Sequence, residues 1–318
     1  MSRTQPSGLK QRAAAASVVV KRSLETLLSD ANMLDVIAAM TLLLLLLHTE
    51  PEKYLRVPVT VLSTAGLLYR PLARKASFWF VVTAVLAAGH FTLWHLIDNH
   101  KYLMTYWCLA LACSLLMEDP RQALAFNARL LTGLCFFFAV LWKATSPDFL
   151  DGSFFHFTLL ADPRFQHVTE VVGGVSPAQW AANEKAIASL SRFDSVQTAV
   201  QLQDAPRVVA IARFLTGWSM AVEGLVALVF LWPDGPRASR GRDAALLLFL
   251  ASTYPVATVL GFAWLLAVMG LSQASGFRSS RFLYAVLFVL LPLCDLPFHR
   301  IGGFLFRHLS TARGVIGG

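Results

Sequence analysis

The sequence predicts an all-α polytopic membrane protein of about eight transmembrane helices with one long extracytoplasmic loop. Three observations predict it. Of 318 residues, 56% are apolar and 14% charged, against about 25% charged in ordinary soluble domains. Apolar runs long enough for membrane helices recur along nearly the whole chain. The basic residues behind the formal charge of +8 lie mainly in the short connections between those runs, where Lys and Arg set topology. That placement argues against nucleic acid as a partner and makes membrane lipid the first one.

Residues 1–32 read as a cytoplasmic and interfacial N-terminal segment. Its first twelve residues are polar, and AAAASVVVKRSLETLL (13–28) suits a helix lying on the membrane surface with Lys21 and Arg22 toward phosphates, or an extension of the first span. The transmembrane domain covers 33–297. Its first span takes Met33–His48, including TLLLLLL. The next apolar stretch, Val57–Tyr69, is shorter than the usual ~17-residue minimum and spans fully only if it begins near Tyr54. After the basic loop YRPLARK come Ala76–Asp98, carrying His90 and His95, then Tyr102–Met117, then about Ala123 to Lys143.

Residues 145–206 form the one long polar stretch. Turn signals at Asp162-Pro163 and Gly173-Gly174, and a helix over Pro177–Leu190 with Ser176 as N-cap and Pro177 in its first turn, predict an outer loop packed over the membrane face. The sixth span, Val208–Trp232, contains Glu223. The apolar run Ala244–Leu271, at about 28 residues, exceeds one perpendicular span; a single span tilted or kinked at Tyr254-Pro255 is expected. An eighth span over Phe282–Leu296 leads to a basic cytoplasmic tail, 298–318.

Eight spans put both termini on one side. The N-terminus, the 70–75 loop, the 237–242 loop and the tail carry five, three, three and three Lys/Arg, so that side is expected to be cytoplasmic. Lys53, Arg56, Arg278 and Arg281 fall on the other side and weaken the contrast. Odd-numbered spans then exit outward, bringing Asp98-Asn99-His100 and Lys143 to one outer face.

Lys143 closes the apolar run in FFFAVLWKATSPDFLDG (136–152), which breaks at Pro147 and turns at Asp151-Gly152. A lysine there either snorkels to the headgroups or, partly desolvated, gives up its proton and acts as a base. His100 reads as a general base, an orienting group or a solvated loop histidine, and Asn99 as its neighbour or a turn residue. Glu223, an ionisable group inside an apolar span, has a site role or a helix-pairing role. His90 and His95 stand about 140° apart on a helix, and no metal site is expected. Cys108, Cys113, Cys135 and Cys294 all lie in apolar runs and read as small core residues. The sequence has no Gly-rich phosphate loop and no nucleophile elbow.

DNHKYLMTYWCLALACSL (98–115) followed by FFFAVLWKATSPDFLDG resembles the membrane region of the vitamin K-dependent gamma-carboxylase family and its bacterial horizontally transferred transmembrane-domain relatives. Asn99, His100, Tyr102 and Leu103 match the first family motif. Lys143, Asp148, Phe149 and Gly152 match the second, with Phe149 in place of the usual Trp and a spacing from Lys one residue longer. Glu223 matches an acidic position after the outer loop. The resemblance implies that Lys143 is the base that starts oxygenation of a reduced quinone, vitamin K-type or menaquinol. The oxygenated quinone then removes a carbon-bound proton before carbon dioxide adds. His100 and Asn99 would position the lysine or the quinol, with Trp142, Tyr102 and Glu223 as quinol-contacting side chains.

The family's carboxylases also carry a large β-rich substrate domain with no counterpart in this sequence. The expectation is therefore a quinol-linked role on a small or partner-delivered substrate. The alternative is a non-enzymatic membrane partner for maturation of, or immunity to, a secreted peptide.

Overall fold

A computed structural model describes residues 26, 28–48, 53–94, 97–190, 200–257, 259–274 and 278–295; the described residues form helices and turns, with no strand. In chain order the longer helices are α1 (Met33–Leu47), α2 (Lys53–Leu68), α3 (Ala76–Leu93), α4 (Asn99–Ser114) and α5 (Pro120–Thr145), then α6 (Ser153–Ala161) and α7 (Pro177–Leu190), then α8 (Pro206–Leu231), α9 (Pro236–Thr253), α10 (Leu260–Gln273) and α11 (Arg278–Leu290). Residues 30–47 and helices α5 and α8 are long and apolar enough to cross a membrane. The 26 residues of α5 or α8 rise about 39 Å, against a hydrocarbon core of about 30 Å. Residues 54–68, 76–92, 260–273 and 279–293 are apolar but shorter. Most of the expected surface helix over 13–28, and the tail 298–318, lie outside the described residues.

Helix ends follow the local chemistry. Asp119 caps α5 by accepting from the Arg121 and Gln122 amides, with Pro120 in the first turn, where its missing N–H costs nothing. Ser176 and Gln179 form a reciprocal capping box at the start of α7: the Gln179 amide donates to Ser176 Oγ at 3.3 Å, and the Ser176 amide donates to Gln179 Oε1 at 2.8 Å.

Successive helices α1 to α5 run antiparallel, which defines two ends of the bundle. At one end, Asp30 pairs with Arg121 and Arg281, and Asp35 is held bidentately by Arg74. Asp234, just after α8, pairs with Arg129 and Arg242 at the same end. This is the basic end. Between the ends the core is apolar, with Trp79 and Trp107 fully buried and their indole N–H groups satisfied by Ala73 O and Thr41 Oγ1.

Residues 147–190 fold into a helical cap at the opposite end. Leu159, Leu160, Phe165, Val175 and Trp180 pack on Val208 and Ala212 of α8, and Val256 and Ala257 add to this core. Asn183, 1% exposed, ties down the chain entering α8 by donating to Gln203 O at 2.9 Å and accepting from Gln203 N at 2.7 Å. Of the outer loop expected over 145–206, the described residues 147–190 and 200–205 thus form a small packed unit.

The expected single span over 244–271 is corrected. The chain reverses, and α9 and α10 lie antiparallel: Gln273 Nε2 donates to Asp243 Oδ1 at 2.5 Å across 30 positions. Pro255 contributes, since it has no N–H to extend the helical hydrogen bonding past Tyr254, which itself keeps right-handed helical angles (φ −72°, ψ −28°). Val256 N and Ala257 N both close onto Thr253 O, making a turn in place of a kink. Helix α11 then runs antiparallel to α10, with Trp264 Nε1 donating to Phe288 O and Arg281 Nε to Ala274 O. Helix α10 is buried over nearly its whole length, and Gly270 permits the close approach: a Cβ there would sit 2.4 Å from the Tyr284 ring.

The reversal changes the topology inferred from eight spans. Helices α1 and α11 both start at the basic end, so Met33 and Leu290 lie at opposite ends of the bundle. Arg281, assigned to the wrong side by the single-span reading, joins Asp30 and Leu28 O at the basic end.

Candidate functional site

Lys143, His48 and His100 share the end of the bundle opposite the basic end: α1 and α5 both leave the basic end, and α4 starts where α3 arrives. Lys143 stands in the last turn of α5, which stops because Pro147 holds Ser146 extended (φ −92°, ψ 115°). The chain then turns at Gly152, whose φ of 87° is the left-handed conformation that favours glycine. That turn folds Phe149, 4% exposed, back beneath the lysine, with Nζ 5.2 Å from its ring centre, a cation–π contact.

Nζ itself forms an ion pair with Glu223 Oε1 of α8. The two side chains retain 21% and 11% of their exposure, and Glu223 Oε2 is buried with no hydrogen-bond partner. Cys135 and Tyr254 lie within electrostatic range of Glu223. The pair is set up by the antiparallel packing of α5 on α8, which also brings Gly133 against Leu231 and Phe230.

His100, in the first turn of α4, meets His48 at the end of α1, Nε2 to Nε2 at 3.0 Å. Gly261 of α10 fits beside this pair, since a Cβ there would lie 2.6 Å from the His48 ring. Tyr102 packs on His90 with ring centres 4.4 Å apart, and His90 Nε2 is 2.6 Å from Thr105 Oγ1. Asn99 is exposed. Trp142, 77% exposed, faces away from the bundle.

The sequence-expected residues therefore form separate contacts: Lys143 with Glu223, His100 with His48, and Tyr102 with His90. A row of rings leads inward from the second, running from His100 to Phe262 (6.4 Å), Phe136 (6.1 Å), Phe249 (4.7 Å) and Tyr254 (6.0 Å). Clefts of about 250 and 360 Å³ lie elsewhere, at the basic end, both lined by Asp35, Ala38 and Ala73.

Sequence reasoning missed His48 and the placement of Tyr254. The signal for His48 was present: it ends an apolar run, as Lys143 does, at the end shared with His100. His95 lies outside the described residues. Among the described residues no three His, Cys, Asp or Glu side chains converge as a metal site.

These features define a class: a helical bundle of membrane character, with a part-buried amine–carboxylate pair at its capped end. Comparison with protein families, curated proteins and solved structures gives no match to this chain.

Proposed function

We propose that this chain is an integral protein of the bacterial inner membrane, with its basic end in the cytoplasm, and that Lys143 and Glu223 are the proton-handling pair of a quinol-dependent, carboxylase-like enzyme. The observation that carries this reading is the Lys143–Glu223 contact itself, with Glu223 Oε2 buried and unpartnered.

In water an ammonium–carboxylate pair stays ionised. Here Nζ is bonded directly to Glu223 Oε1 and the pair is partly withdrawn from water, so a proton can pass between the two groups without an intervening solvent molecule. Glu223 then serves as the group that takes the Nζ proton and leaves a free amine. That amine is a base at the edge of a lipid-facing helix surface formed by Phe138, Leu141 and Trp142, all exposed on α5.

A reduced quinone dissolved in the bilayer fits this setting. Its hydroxyl is a donor matched to the bare Glu223 oxygen, and its apolar body suits the Phe149 side of the pair. When bound, the quinol supplies the electrons for oxygen chemistry. Lys143 holds or accepts the proton, and His100, fixed by His48, orients at the same end.

Oxygen uptake by the purified protein in liposomes supplied with menaquinol, or with reduced vitamin K, tests the reading. Uptake should be lost in Lys143→Ala and in His100→Ala, and also in Lys143→Arg, which keeps the charge but cannot act as a base. Parent-like uptake by all three variants would defeat it, as would an inactive parent with every quinol tried.

A further inference from the structure

A second buried acid lies far from the lysine, near the basic end, and its surroundings are those of a carboxylic acid that keeps its proton. Asp243, 4% exposed, stands in the second turn of α9. Three side-chain donors face it, from Gln273, Tyr284 and Ser280, and the two that close a hydrogen bond go to the same oxygen. Oδ1 accepts from Gln273 Nε2 at 2.5 Å and from Tyr284 OH at 3.2 Å. Oδ2 is buried without a partner, and so is Gln273 Oε1. The amide cannot be turned round to relieve this, because its carbonyl would then face Oδ1.

The nearby cations are engaged elsewhere. Arg242, on the same helix, is bound to Asp234 Oδ1 at 2.7 Å and to Ala238 O at 3.3 Å. Arg129 of α5 pairs with the same Asp234. Arg281 of α11 is directed to Ala274 O, Leu28 O and Asp30. From α11, Tyr284 and the Ser280 hydroxyl face the carboxyl. An ionised Asp243 would therefore carry, in the interior, an oxygen with no cation paired to it and no hydrogen bond closed onto it, while the Gln273 carbonyl also lacks a donor.

One proton removes both deficits. Placed on Oδ2, it makes that oxygen a donor, and Gln273 Oε1 is the acceptor left over on the side chain already bound through Nε2. The result is a closed acid–amide pair with one hydrogen bond in each direction. We propose that Asp243 is a proton-binding site, occupied in the folded protein, whose un-ionised carboxyl donates from Oδ2 to Gln273 Oε1. The ligand is the proton itself, and its occupancy is tied to the packing of α9 on α10 and α11, because Gln273 and Tyr284 come from those two helices. The site stands independently of the quinol reading.

Infrared spectra of the protein with its aspartates carbonyl-labelled with carbon-13 test this directly. At neutral pH the parent should show the carbonyl stretch of an un-ionised carboxylic acid, shifted by the label and absent from Asp243→Asn. Asn supplies an N–H in place of the acid O–H, so Asp243→Asn should melt no lower than the parent at neutral pH and should lose the parent's fall in melting temperature on alkalinisation. A parent without that band overturns the proposal, as does a parent equally stable across mildly alkaline pH. So does an acid band that persists in Asp243→Asn.

Discussion

His48 and His100, 52 positions apart in sequence, face each other Nε2 to Nε2 at 3.0 Å. In a neutral pair one ring carries its proton on Nε2 and the other on Nδ1, so the two adopt opposite tautomers. The contact joins the end of α1 to the start of α4, and its energy belongs to the pair. His48→Ala and His100→Ala should each lower stability by about 1 kcal/mol, and the double variant should lose little more than either single one. Chemical unfolding of the four proteins in detergent measures this. Strictly additive losses would show that the rings do not interact.

The Lys143–Glu223 pair makes an asymmetric prediction. Removing one partner leaves the other charge part-buried, so Glu223→Ala should cost about 1–3 kcal/mol. Replacing both at once, Lys143→Met with Glu223→Leu, should return stability to near the parent while any proton chemistry stays lost. If the double variant is as unstable as Glu223→Ala, loss of packing and not loss of charge pairing governs this site.

Gly270 and Gly241 separate close approach from backbone freedom. A Cβ at Gly270 would lie 2.4 and 2.6 Å from Tyr284 Cε1 and Cζ, while one at Gly241 meets nothing within 4 Å. Gly270→Ala should therefore destabilise by about 1–3 kcal/mol through overpacking. Gly241→Ala, in a helix with open space beside it, should stabilise by up to about 1 kcal/mol. Melting temperatures moving in the same direction in both variants would contradict this packing of α10 on α11.

The connection after α8 carries a pH signature. Arg242 first, and Arg129 with it, hold the Asp234 carboxyl below its ordinary value of 3.8. A depressed carboxyl contributes stability that is fully present above its unfolded value and is lost as pH falls through the folded one. The contribution should thus be intact at neutral pH and disappear only below about pH 4. Asp234→Asn should remove that part of the acid limb and leave the alkaline side unchanged in a pH series of unfolding midpoints.

Much of this architecture was legible because helix limits are written in local chemistry. The apolar run before Lys143, the stop at Pro147, the turn at Gly152 and the Ser176-Pro177 helix start all stand where the residues put them. Direction is not local. The apolar stretch 244–271 reads the same whether the chain kinks or turns back, since Tyr254-Pro255 breaks the helix in either case, and the deciding contact, Asp243 with Gln273, spans 30 positions. Site residues divide in the same way. Lys143 and Glu223 drew notice as charged groups in apolar surroundings, whereas the pairing of His100 with His48 depends on which helix ends meet.

The reversal at 254–259 separates the two topologies by one labelling experiment. In the single-span reading the chain passes from one end of the bundle to the other between Arg240 and Ser279. In the antiparallel pair it goes out along α9 and returns along α10, so both residues lie at the basic end; each is exposed. With the four native cysteines replaced, Arg240→Cys and Ser279→Cys should be modified from the same side of sealed vesicles by a membrane-impermeant thiol reagent. Phe157→Cys, on the exposed face of the cap, should be modified from the other. The basic end gathers Arg74, Arg121, Arg129, Arg242 and Arg281, so the charge rule predicts that the side from which Arg240→Cys and Ser279→Cys are modified is the cytoplasmic one. Labelling of Ser279→Cys together with Phe157→Cys would restore the single span and break the Asp243–Gln273 contact on which the α9–α10 hairpin rests.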